Sequence, residues 1–229
     1  MLKSLIISSL CLFSVSAFAE DRRELEIHSV EVFEVETPQE FLKNTVTLPK
    51  VPTNPVDQII TAIDGIIAIG KKIWPIIDAG RPVINTTGLV SSISVLPQID
   101  EPGKYPALHL MANWSVPKVI SYRVSYKNYF GSEVVGFTYS MYFQYNGSYQ
   151  DNGKYITSLK VQASEISASW GFNFDASSEL VSVANVGSSD NPVASAIMQV
   201  SYKTRGLFNE QRSAQSFYVD GNGNVKPLN

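Results

Sequence analysis

The chain holds one cysteine and two histidines in 229 residues, and its acidic and basic residues nearly balance at a net charge of −3. Each scarcity closes a class of function. Cys11 lies in an apolar run near the start, so the remainder of the chain can make no disulfide, no thiolate metal site and no cysteine nucleophile. His28 and His109 are too few and too far apart for a histidine pair at metal spacing, and no nucleophile elbow accompanies either. His109 sits in the apolar run Leu108-His109-Leu110-Met111 and His28 in a β-type run with Glu26 and Glu31, settings that suit structural histidines. No basic stripe is present, which argues against a sequence-independent nucleic-acid binder. No cofactor and no metal is implied.

What is present begins with Lys3, an apolar run from Leu5 to Phe13, and small residues ending in Ala17-Phe18-Ala19. These are the three regions of a secretory signal peptide, and they predict removal of residues 1–19, Cys11 included. Ser9-Leu10 before Cys11 lacks the small residue of a lipoprotein signal, so cleavage rather than lipid anchoring is expected. The expectation is an exported bacterial protein, periplasmic or extracellular.

The most informative stretch runs from Val119 to Tyr145. Ile120, Tyr122, Val124 and Tyr126 alternate with Ser121, Arg123, Ser125 and Lys127, and after a turn Val135, Phe137, Tyr139, Met141, Phe143 and Tyr145 resume the alternation. Pairing Ile120 with Met141, Tyr122 with Tyr139, Val124 with Phe137 and Tyr126 with Val135 sets apolar against apolar throughout, and sets Ser121 opposite Ser140. The loop is then Phe130-Gly131 or Tyr129 to Ser132, with Gly131 supplying the positive φ of a tight reversal.

Taken in order, residues 20–53 read as an N-terminal strand and a connector. Residues 25–35 alternate with a slip near Ser29 that calls for a bulge, and Pro38, Pro49, Pro52 and Pro55 mark a stiff connector beyond it. Residues 54–82 read as an apolar helix: Asn54 caps, Pro55 suits the first turn, and the polar positions form a narrow stripe, leaving Ile59, Ile63, Ile66, Ile67, Ile73 and Trp74 on a wide apolar face. Pro75 kinks it and Gly80 with Pro82 closes it. Such a helix must be covered, by a sheet of its own domain, by a membrane or by a partner's groove. Residues 83–229 read as β throughout, with candidate strands at 89–96 and 107–114. A phase flip between Ala163 and Ile166 calls for a bulge or corner, after which Ile166, Ala168, Trp170, Phe172 and Phe174 share a face. The expected fold is mainly β: an antiparallel β-sandwich of about eight strands with one N-terminal apolar helix packed on it.

Several motif-like strings dissolve on inspection. Gly65 to Lys72 has the spacing of a phosphate-binding loop, but Lys72 stands where a hydroxyl is needed and the intervening residues are bulky and apolar. Asp220-Gly221-Asn222-Gly223-Asn224 resembles half of a calcium loop, but Val225 replaces the required glycine and no glutamate completes it, leaving a turn. Asp175, Glu179 and Glu165 are the carboxylates available to a hydrolase. Tyr129, Tyr142 and Tyr149, expected on polar faces, are candidates for a sugar- or peptide-binding surface.

The leading expectation is thus a non-catalytic, exported binding or envelope-associated interaction module whose partner is a protein, a glycan or a membrane surface. A membrane-active protein that inserts residues 54–80 is the alternative, and a carboxylate-dependent hydrolase the second.

Overall fold

A computed structural model describes residues 22–39, 59–83, 92–99 and 108–228. Residues 1–19, expected to be a signal peptide, most of the proline-rich connector and Asn54 to Gln58 lie outside that set. Within it the chain forms β1 (Ile27–Val35), β2 (Ile59–Ile63), β3 (Ile66–Gly70), β4 (Ile73–Asp78), β5 (Arg81–Pro82), β6 (Ile93–Pro97) and β7 (Lys118–Asn128). Beyond these come β8 (Glu133–Tyr149), β9 (Asn152–Ala168), β10 (Asn173–Asn185), β11 (Ala194–Arg205), β12 (Glu210–Asp220) and β13 (Val225–Pro227). They make two antiparallel sheets, ordered β1-β7-β8-β9-β6-β3-β2 and β13-β12-β11-β10-β4-β5.

The β7–β8 ribbon has the register its apolar alternation demands. Ile120 faces Met141, Tyr122 faces Tyr139, Val124 faces Phe137 and Tyr126 faces Val135, while Ser121 and Ser140 meet at 2.7 Å between hydroxyl oxygens. Tyr129 to Ser132 form the connection, with Gly131 at φ 78°. The inner rings of this ribbon meet those of the second sheet. Phe137 stacks on Phe174 at 5.6 Å, Tyr126 meets Tyr202 edge-on at 6.3 Å, and Phe217 lies against both Tyr122 and Tyr139. One apolar core therefore serves both layers. The two irregularities expected from broken alternation are present: the β1–β7 register shifts between Ile27 and Ser29, and β9 shifts beside Glu165, whose φ is 49°.

Residues 59–82 correct the helical reading. Among the described residues this segment is four strands, not a helix, and the total is thirteen strands rather than about eight. The reason is local. Asp64-Gly65, between Ile63 and Ile66, is the two-residue hairpin signal at its strongest, and both residues have positive φ (49° and 79°), as the favoured hairpin turn requires. Ala79-Gly80 repeats the device at 47° and 72° to join β4 to β5. Isoleucine, branched at Cβ, suits a pleated surface better than a helix once such turns are available. Pro75, read as a kink, sits where the β4–β10 register shifts, a place that tolerates a missing N–H. The first hairpin joins the seven-stranded sheet and the second joins the six-stranded one, so the segment binds both layers along one side. Ile66, Ile67, Ala68, Trp74, Ile76 and Ile77 are buried, whereas Ile59, Ile63 and Ile73 are exposed. Trp74 donates its indole N–H to the Val161 carbonyl of the opposite layer at 3.4 Å.

The candidate strand at 107–114 is also corrected: Leu108–Leu110 is a 3-10 turn, and beyond it lies a single bridge between Ala112 and Ser148.

Candidate functional site

Strand direction decides which loops share an end. β7, β9 and β11 finish, and β8, β10 and β12 begin, at one pole, so the loops 129–132, 169–172 and 206–209 lie side by side with residues 22–26. Contacts bear out the grouping. A Cβ added to Gly171 would touch Leu207 and Leu25, and one on Gly206 would meet the Phe172 ring at 3.0 Å. The Arg22 guanidinium lies 5.5 Å from the centre of the Phe208 ring, and His28 packs on Tyr129 at 4.3 Å.

This pole exposes what turns normally avoid. Trp170 is 81% exposed, and Tyr129, Phe130, Leu207 and Phe208 are each about half exposed. Folding alone gives no reason to hold five large apolar side chains in water on three adjacent loops. The loops beneath are stiff. Asn128 Oδ1 accepts the N–H groups of Phe130 and Ser132, both at 3.0 Å, while its Nδ2 donates to the Glu24 carbonyl. Asn209 clamps Ile27 on both sides, accepting from its N–H at 3.1 Å and donating to its carbonyl at 2.8 Å. Glu133 Oε1 pairs with Arg123 Nη2 at 2.6 Å. Burial pushes the Glu133 carboxyl up, but hydrogen bonds from Ser125 and Arg123, the guanidinium charge and Ser167 outweigh it and hold the group below the ordinary carboxylate range. Glu210 gathers Arg205, Arg212 and Lys203, and the two arginine hydrogen bonds hold its carboxyl low as well. Asn128, Asn209, Glu133 and Glu210 are thus engaged with neighbouring groups, and the rings are left to face outward.

The residues singled out from the sequence do not converge. Tyr129 belongs to the pole. Tyr142 is buried on the outer face of the seven-stranded sheet, its ring 5.0 Å from the Lys160 ammonium, and burial raises its pKa. Tyr149 ends β8 at the opposite pole, packed against the core. The three carboxylates are equally dispersed. Asp175 accepts the Ala79 N–H, Glu179 lies 3.9 Å from Lys72, and Glu165 accepts the Thr138 hydroxyl on the other sheet. Asp220 organises its turn by accepting the Asn222 and Asn224 N–H groups, the Asn224 side-chain amide and the Tyr218 hydroxyl, so its oxygens are occupied as a turn requires. Burial, with the Asp220 charge, pushes the Tyr218 hydroxyl up to about 12.

A second depression, of about 660 Å³, crosses the outer face of the six-stranded sheet between Asp78 and Asp175 on one side and Lys203 and Arg212 on the other. It is wider than the hollow of about 390 Å³ beside Trp170. Its floor is open, and nothing in its lining selects a ligand, so size is a poor guide here. Among the described residues no cluster of three His, Cys, Asp or Glu side chains is placed to hold a metal ion, and no helix is long and apolar enough to cross a membrane.

Sequence reasoning misses Phe130, Trp170, Leu207 and Phe208. Alternation counts Trp170 with Ile166, Ala168, Phe172 and Phe174 as an inward residue, yet β9 ends at Ala168. The available signal is an aromatic residue close to glycine at each reversal: Phe130-Gly131, Trp170-Gly171, and Gly206 two residues before Phe208. No family model matches the chain, nor does any curated protein or solved structure.

Proposed function

We propose that this chain is an exported, non-catalytic β-sandwich that serves as an interaction module and meets its partner through the aromatic pole. One observation carries the reading: five large apolar side chains stand exposed on three loops, two held by the side-chain hydrogen bonds of Asn128 and Asn209 and the third by the backbone bonds of Ser169 to Val134 and of Phe172 to Ser169. A surface prepared in the free protein loses little conformational entropy on binding, which is how rigid aromatic contacts contribute affinity. The hydrolase reading has less support. Asp175 and Glu179 stand four residues apart on one strand, about 13 Å at the usual rise, whereas paired glycosidase carboxylates stand about 5 to 9 Å apart. Insertion of residues 54–80 has less support too, because Ile66, Ile67, Trp74 and Ile77 are core residues whose release would open both layers.

The test is retention of the purified mature protein on isolated bacterial envelopes. The triple variant Phe130→Ser/Trp170→Ser/Phe208→Ser should lose most of the retention while keeping its melting temperature. Retention equal to that of the unaltered chain would overturn the assignment of the pole.

A further inference from the structure

We infer that the partner of the aromatic pole is the interfacial region of a phospholipid bilayer, an inference that rests on the pole being the binding surface. Three features of the site favour a lipid surface over a glycan or a protein groove. The first is the side chains themselves. Tyr129 and Trp170 are the residue types that settle at the level of lipid headgroups, where an apolar ring can be buried while a polar edge stays wet, and Phe130, Leu207 and Phe208 add purely apolar area beside them. The second is shape. The exposed side chains are spread over three loop tips: Phe130 and Trp170 flank one shallow hollow, but Tyr129, Leu207 and Phe208 lie outside it, so the set can enter a soft, laterally continuous medium together but would leave gaps against a rigid convex protein.

The third is the state of the polar groups. A sugar site needs free donors and acceptors beside its aromatic platform. Here Asn128 and Asn209 are spent on the chain's own backbone and Glu133 on Arg123. Arg23 is exposed and makes no ion pair among the described residues, and Arg22 and Arg205, paired with Glu26 and Glu210, still present guanidinium groups well open to solvent near Phe208 and Gly206, where they can also reach lipid phosphates. Glu24, Glu26 and Glu210 nearby offset these charges, so the rings carry most of the attraction and anionic lipid adds a modest share.

The experiment is flotation of the purified mature chain with protein-free vesicles of phosphatidylcholine containing increasing phosphatidylglycerol, read together with tryptophan emission. Trp74 is buried and Trp114 half buried, so Trp170 is the indole whose environment changes on docking. Expected are co-flotation, a blue shift of emission that Trp170→Phe removes while most of the binding remains, and a loss of partitioning of roughly tenfold or more in the triple serine variant, in keeping with the apolar area withdrawn. Ile63→Ser, exposed but remote, should partition normally. Absence of the unaltered protein from the floated vesicles at every lipid ratio overturns the inference, as does equal partitioning by the triple variant. If native envelopes retain the protein through the pole and protein-free vesicles do not, the lipid assignment fails and the pole stands. If envelope retention does not depend on the pole, both fail.

Discussion

Ile63 and Ile67 differ by four positions, so on a helix they would share a face and respond alike to truncation. In the hairpin they do not. Ile63 pairs with Ile66 beside the turn and is 44% exposed, whereas Ile67 pairs with Ala62 and is 1% exposed. Replacing Ile67 by alanine removes three carbons from a site with no access to water. It should cost about 2–5 kcal/mol, the transfer of the lost surface plus the cavity left behind. Ile63→Ala removes carbons that are already half in water and leaves no enclosed void, so about 1 kcal/mol or less is expected. In urea, with a slope of about 1–3 kcal/mol/M, Ile67→Ala should lower the unfolding midpoint by roughly 1 M or more. Ile63→Ala should move it only slightly, and neither variant should alter the slope. Equal losses for the two would refute the placement of residues 59–70 as a hairpin across the core edge. Gly70→Ala in the same segment is a further check: a Cβ there would come within 2.2 Å of the Ser92 carbonyl oxygen, on a backbone at φ 133°.

Three other perturbations have directions set by the structure. Burial raises the hydroxyl pKa of Tyr122, Tyr126, Tyr139, Tyr142, Tyr155, Tyr202 and Tyr218, with Tyr202 and Tyr218 each reaching about 12. The fold favours their neutral forms, so this contribution is complete below the ordinary tyrosine pKa of about 10 and is lost as pH rises above it. Phenolate absorbance should show most tyrosines titrating in one step that coincides with alkaline unfolding. Glu133 works in the opposite direction: its lowered pKa contributes stability above the ordinary carboxylate range, lost as pH falls through the folded value. Glu133→Gln should flatten the acid limb of the melting-temperature profile and leave the alkaline limb unchanged. Gly147→Ala places a Cβ within 2.4 Å of the Trp114 ring, which must leave its shelf; about 1–3 kcal/mol of stability and a red shift of Trp114 emission are expected.

The sequence is legible wherever one residue type can satisfy only one arrangement. The β7–β8 register is readable because a slip would turn Tyr139 and Phe137 to water, and the bulge beside Glu165 because Val161 and Ile166 cannot share a face without one. Residues 59–82 mislead for the opposite reason. With isoleucine on nearly every face, the spacing fits a helix and a strand equally well, and only Asp64-Gly65 and Ala79-Gly80 distinguish them. The aromatic pole is illegible for a third reason: it exists only because strand directions bring three distant reversals to one end. Tyr129 is the single member that the sequence singles out. Tyr142 and Tyr149 lie away from that pole, because alternation along one strand does not reveal what covers its outer face or at which end it stops.

The order of the strands has a kinetic consequence. Val35 at the end of β1 pairs in register with Ser121, and Trp74 with Ser178, so both early portions of the chain must wait for partners that are far downstream. Loop-closure entropy has to be met before either pairing returns any free energy, and a topology of such high contact order folds slowly for its size. A newly made chain of this design cannot complete the six-stranded layer until Ser178, more than a hundred residues beyond Trp74, is available for pairing.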